Sequence, residues 1–184
     1  MRHKLAPDEL CMQGNVIGTG PKHTITSIQN QPLAHFVGTI PFYRLPCHRS
    51  DGSGGEYFYT HAEEERVVSC AQNGYWSEGI ACRIWTAQQP RMVPLYRLWC
   101  TAVTHVFVTS QAGKDWWMRE KGAADEGIVG YVYPSADRLV GLVPLYCVTA
   151  ENWGRLLTVS DRERMACIRL GARDEGILCF VAPP

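Results

Sequence analysis

The sequence predicts a mainly β fold with short helices. It reads as three pseudo-symmetric strand–strand–helix–strand repeats in a closed, propeller-like assembly. Three observations predict this. A proline-led apolar segment recurs at Pro41, Pro94 and Pro144, at intervals of 53 and 50 residues. A Glu-Gly-Ile triplet recurs at Glu78, Glu126 and Glu175, at intervals of 48 and 49 residues. A glycine follows each intervening polar stretch, at Gly74, Gly122 and Gly171. Two independent markers at one period define a repeat, and periods of this length belong to propeller blades, trefoil units and solenoids. A β-trefoil is the alternative. It is built from strands alone, so the helix signals described below favour the propeller-like arrangement.

Residues 1–39 do not repeat. Within them, 23–28 alternates weakly, and 33–40 (L-A-H-F-V-G-T-I) is the better strand candidate. This N-terminal segment is expected to complete the ring by pairing with the last repeat, which would seal exposed edges. Residues 40–184 form a single repeat domain, with repeats at 40–86, 93–134 and 143–182. Each opens on a strand: I-P-F-Y-R-L-P-C, V-P-L-Y-R-L-W-C and V-P-L-Y-C-V-T-A. Proline is tolerated at a strand's start because only an edge donor is lost. A link follows, long and glycine-rich only in the first repeat, and then a second strand at 57–60, 105–109 and 156–159.

A short helix comes next. Ser160 and Glu163 fit a capping box, the hydroxyl accepting the Glu163 N–H and the carboxylate reaching back to the Ser160 N–H. Ser110 can cap the second helix, though Gly113 replaces the glutamate; 60–63 (T-H-A-E) is the nearest match in the first. Gly74, Gly122 and Gly171 end these helices, where a left-handed backbone favours glycine. The last strand of each repeat follows the Glu-Gly-Ile triplet, at 80–85, 128–133 and 177–181.

Composition bounds the function. Eighteen basic and eighteen acidic residues give zero formal net charge. A nucleic-acid partner is not expected, because phosphate neutralisation needs a basic excess. No apolar run reaches the ~20 residues of a membrane span. The N-terminus lacks an apolar core behind its charges, so the chain reads as cytoplasmic or unconventionally secreted. The eight cysteines show no CxxC spacing and no grouping with histidine, which argues against zinc, and they read as thiols in small apolar slots, with a disulfide framework as the alternative. No metal or other cofactor is expected.

At these residues the chain resembles a family of short aromatic-rich repeats of unknown function found in bacterial and fungal proteins. Its unit reads P-L-Y-R-L, then H-F-Y-T-T-S-x-x-E-R, then E-G-I-x-G-Y-V-Y-P. The second repeat carries it best, with Pro94 to Leu98, His105, Thr109-Ser110, Glu126 to Ile128 and Gly130 to Pro134. The histidine is Tyr57 in the first repeat and Arg155 in the third, and the arginine is Cys147 in the third. The resemblance implies an accessory or binding module, with no assigned activity.

Candidate chemistry follows from what recurs and what varies. Glu78, Glu126 and Glu175 recur, and are expected to be structural acids that pair with the arginine of P-L-Y-R or cap the tight Glu-Gly turn. Tyr43, Tyr96 and Tyr146 keep the strand register and read as framework. Trp76, Trp99 and Trp153 vary between repeats and sit near loops. Flat rings beside polar donors suit stacking on sugars, so these three, with His105, Arg44 and Arg97, are the candidate ligand-binding residues. No catalytic residue is assigned, because no G-x-S-x-G, P-loop, H-E-x-x-H or dinucleotide-binding signature is present. The expected function is therefore non-catalytic and lectin-like, a carbohydrate-recognising or defence protein whose partner is a glycan or other small ligand. The alternatives are a hydrolase with one site kept around His105, and an interaction scaffold, including a homo-oligomer.

Overall fold

The structure is a computed structural model and describes residues 36–48, 54–101, 104–136 and 140–184. The expectation for 23–28, and most of the N-terminal segment, lies outside these residues. The element order is β1 (Thr39–His48), β2 (Gly55–Thr60), α1 (Glu63–Gln72), β3 (Ile80–Trp85), β4 (Val93–Cys100), β5 (Thr104–Val108), α2 (Gln111–Lys121), β6 (Ala124–Val132), β7 (Val143–Ala150), β8 (Gly154–Thr158), α3 (Asp161–Arg169) and β9 (Arg173–Val181). Strand, strand, helix and strand thus follow one another three times. Within each set the first strand is central, flanked antiparallel by the second and third.

One irregularity recurs. The ladder of the first strand with the third slips after Phe42, after Leu95 and after Leu145. Two residues of the third strand oppose one of the first, which is a β-bulge. The strands' two faces are buried differently. Phe42, Leu95 and Leu145 share one core with Tyr59, Phe107, Leu157, Ile84 and Val181. One residue out of phase, Leu98 packs with Val106 and Ala123 on the side that carries Trp117 of α2. Each sheet is therefore covered on both faces, which is why both Phe42 and Leu45 are fully buried although they are three residues apart.

The closed, propeller-like assembly is not what forms, and neither is the trefoil. β3 pairs with β6 through Trp85 and Tyr131, fusing two sets into one curled six-stranded sheet of order β2-β1-β3-β6-β4-β5. The third set is a separate open sheet, β8-β7-β9, tied in by the isolated bridges Arg83–Ala182 and Tyr133–Phe180. Propeller blades surround a channel. Here Trp85 and Tyr133 fill the meeting point, their rings 5.3 Å apart and edge to face, against Met92 and Ala182. The three helices argue against a trefoil.

Helix termini follow the sequence closely. Ser110 and Ser160 accept the N–H groups of Gly113 and Glu163 at 3.1 and 3.2 Å. Gly122, Gly74 and Gly171 all take positive φ at or just past the helix ends. The second half of the capping box does not form. The Ser160 N–H donates to Thr158 Oγ1 at 3.0 Å, which leaves the Glu163 carboxylate free to reach another repeat.

Candidate functional site

Glu163 reaches Arg44. The Arg44 guanidinium lies 2.9 Å from Glu163 of α3 and 2.6 Å from Glu78 of its own repeat. An equivalent cluster joins the first two repeats. Arg97 binds Glu65 of α1 through two hydrogen bonds, at 2.8 and 2.9 Å, and sits 2.8 Å from Glu126. Bidentate arginine–carboxylate pairs are strong and directional. Burial alone would raise the Glu65 pKa, but the Arg97 and Thr60 hydrogen bonds outweigh it and hold it below the ordinary value. Arg44 and Arg97 are thus engaged in joining repeats. Glu78 and Glu126 pair with the P-L-Y-R arginine as expected. Glu175 pairs with Arg173 instead, because Cys147 occupies the arginine's position.

That third junction is rewired. Gly113 stands where the others have Glu65 and Glu163, and Cys147 where they have Arg97 and Arg44. A guanidinium returns from Arg155, whose Nη2 lies 3.2 Å from Cys147 Sγ and whose carbon sits 5.6 Å over the Trp117 ring. Each helix also sends a cation over a framework tyrosine: Arg66 over Tyr43, Lys114 over Tyr96 and Arg164 over Tyr146, at 5.1, 4.8 and 4.6 Å.

His105 lies on β5, opposite Trp99 in the ladder. Its Nε2 is 3.5 Å from Glu126, and its buried Nδ1 has no hydrogen-bond partner. Burial, and then the nearby Arg97 charge, push its pKa down to about 4. The imidazole forms part of the wall of a pocket of about 240 Å³ with Phe58, Glu65, Ser69, Asn73 and Tyr75.

Trp153 lies elsewhere, in the β7–β8 turn, along a larger cleft of about 950 Å³. Glu151, Asn152, Thr149 and Arg173 line the same cleft. The turn is anchored by the Gly55 N–H donating to the Asn152 carbonyl at 2.7 Å. A side chain at Gly54 would collide with that carbonyl, so this contact requires glycine there. Tyr57 meets Trp153 edge to face at 5.8 Å, and the Arg44 guanidinium covers the Tyr57 ring at 5.8 Å. Arg44 therefore supports Trp153 through Tyr57.

The candidate residues are not gathered in one place. Trp76 packs on His48 at 4.9 Å, Trp99 is exposed on β4, and neither lines these cavities. Sequence reasoning missed Glu65 and Glu163 as partners of the arginines, although their shared Glu-Arg motif was visible. It also missed Asn152 and Arg173, for which the turn sequence E-N-W-G offered the only signal. Among the described residues, no group of three His, Cys, Asp or Glu side chains is placed to hold a metal ion, and no helix is long and apolar enough to cross a membrane. Among the described residues Cys70, Cys82, Cys100, Cys147, Cys167 and Cys179 are free thiols, with Cys82, Cys100, Cys147 and Cys179 buried.

No curated protein and no solved structure matches the chain. Residues 41–182, which span all three strand–strand–helix–strand sets, match a family described as Domain of unknown function (DUF5648), and the chain belongs to that family.

Proposed function

We propose that this protein is a non-catalytic, lectin-like carbohydrate-binding module with its principal site in the cleft beside Trp153. The observation that carries this reading is the composition of that cleft. It pairs an indole with a carboxylate, an amide, a hydroxyl and a guanidinium within about 950 Å³. An apolar face with a few convergent polar groups is the usual make-up of a small-molecule site, and the indole offers a surface for the C–H face of a sugar ring. The zero net charge favours a neutral glycan over a polyanion. The likeness to a family of short repeats, which implies an accessory or binding module, suits this reading. Glycan-array screening followed by calorimetry tests it. The Trp153→Ala variant is expected to bind at least tenfold more weakly, the loss of about 1.4 kcal/mol that one stacking contact of this kind supplies. An array that retains no glycan sinks the reading.

The hydrolase alternative finds one favourable fact: His105 faces an acid beside a pocket. Three others oppose it. Glu126 is already bound to Arg97. An imidazole with a pKa near 4 is a weak base at neutral pH. The aliphatic hydroxyl in the pocket, Ser69, sits near the C-terminal end of α1, where the helix dipole is negative and disfavours an oxyanion.

A further inference from the structure

The His105 pocket has no part in the Trp153 cleft, yet it holds an unmet chemical demand. With a hydrogen on Nε2 facing Glu126, Nδ1 is an acceptor, and it is buried without a partner. Leaving such a group unsatisfied is costly, so native structures rarely keep one without a reason. The surroundings decide what can satisfy it. Burial first, and then the Arg97 charge, keep the imidazole neutral, and the same guanidinium opposes a cation at Nδ1. An anion is repelled by Glu65 and Glu126, which flank the ring on two sides. A wholly apolar guest would leave Nδ1 without a partner. What remains is a neutral molecule that donates hydroxyl hydrogens. The pocket's 240 Å³ equals the volume of about eight waters, room for one small ring.

We propose that this pocket, between α1 and β5, is a second binding site that takes a single neutral polyol ring, one of whose hydroxyls donates to His105 Nδ1. Phe58, in tilted contact with the imidazole at 4.7 Å, is the side chain that yields to admit it. Tyr75, 5.7 Å beyond Phe58, supplies the opposite wall. The site stands on its own geometry. Only the naming of the ring as a sugar rests on the carbohydrate-binding reading.

The test uses the full chain labelled with ¹⁵N at its histidine rings, with His105→Gln assigning the signal. The probes are methyl glucoside, methyl galactoside, methyl mannoside and myo-inositol. At least one is expected to shift the His105 Nδ1 resonance saturably, with a Kd near 1 mM for about a dozen heavy atoms at ordinary efficiency. Val68, exposed at the pocket wall, can be enlarged without touching the core. Val68→Trp should weaken the response at least tenfold, and Trp153→Ala should leave it unchanged. The proposal is overturned if no probe moves the resonance, if methylammonium or phosphate moves it in their place, or if folded Val68→Trp responds like the parent. A silent His105 with array binding lost in Trp153→Ala overturns this site and keeps the cleft. A responding His105 with a silent array does the reverse.

Discussion

His105 couples the first inter-repeat junction to pH. Its folded pKa lies near 4 against the ordinary 6.5, because burial and Arg97 on β4 both oppose the charge. Glu65 on α1 opposes that shift without cancelling it, and Glu126 on β6 touches Nε2. The sign follows from linkage. Above about pH 6.5 the ring is neutral in both states and its contribution to stability is whole. As pH falls toward about 4, only the unfolded chain takes up the proton, so stability is lost. At 1.36 kcal/mol per pKa unit, the loss approaches about 3 kcal/mol. Urea titrations at about pH 7 and pH 4.5 should show His105→Gln losing about 2 kcal/mol less than the parent over that interval. His61, which burial also lowers, titrates in both chains and cancels in the comparison. Equal losses in the two chains rule out a buried, neutral His105. At this scale the sequence was half informative. It singled out His105 as the one retained histidine, but its burial and its partners come from Glu65, Arg97 and Glu126, which are distant in the chain.

The local elements were the most legible part of the fold. Ser160, Ser110 and the three terminal glycines marked helix ends through backbone needs that a sequence displays directly. The first helix was the poorest match, and α1 does have Ala62 at its N-cap, without a side-chain cap. Ala62 holds the same extended backbone as Ser160, with φ −80° and ψ 119° against −92° and 108°. A serine hydroxyl there can accept the Glu65 N–H without rearrangement. Ala62→Ser is expected to stabilise the protein by about 0.5–1 kcal/mol and raise Tm by about 1–4 °C in calorimetry. No rise would mean that Thr60, whose hydroxyl already accepts the Ala62 N–H at 3.0 Å, organises this turn by itself. The bulges after Phe42, Leu95 and Leu145 were not legible. A bulge is a slip in the register between two paired strands, a property of the pair and not of either segment.

How the repeats join was the least legible, because it depends on residues half a repeat out of step. Glu65 meets Arg97 and Glu163 meets Arg44, each from a helix to the first strand of another repeat. The Glu-Gly-Ile acids drew attention by recurring, while the decisive carboxylates resembled ordinary helix-start residues. Fusion of two sheets through Trp85 and Tyr131 depends likewise on side-chain bulk where the third strands end. The rewired junction allows a test of this account. Gly113 and Cys147 are the two halves of a missing pair, and both halves are replaced together. Cys147 is buried, and Arg155 already fills the guanidinium's place beside it. Cys147→Arg alone should destabilise, because it sets a second guanidinium against Arg155 with no carboxylate from α2. Gly113→Glu alone adds an acid with no guanidinium from β7 to meet it. If the three junctions obey one rule, the double variant recovers stability beyond the sum of the singles, by a coupling of about 1–2 kcal/mol in a double-mutant cycle. Arg155→His, which restores the second repeat's own pairing of histidine with arginine, should increase that recovery. Additive effects would mean that the junction of α2 with β7 needs no ion pair and rests on apolar packing such as that of Leu145, Leu157 and Val181 in the shared core.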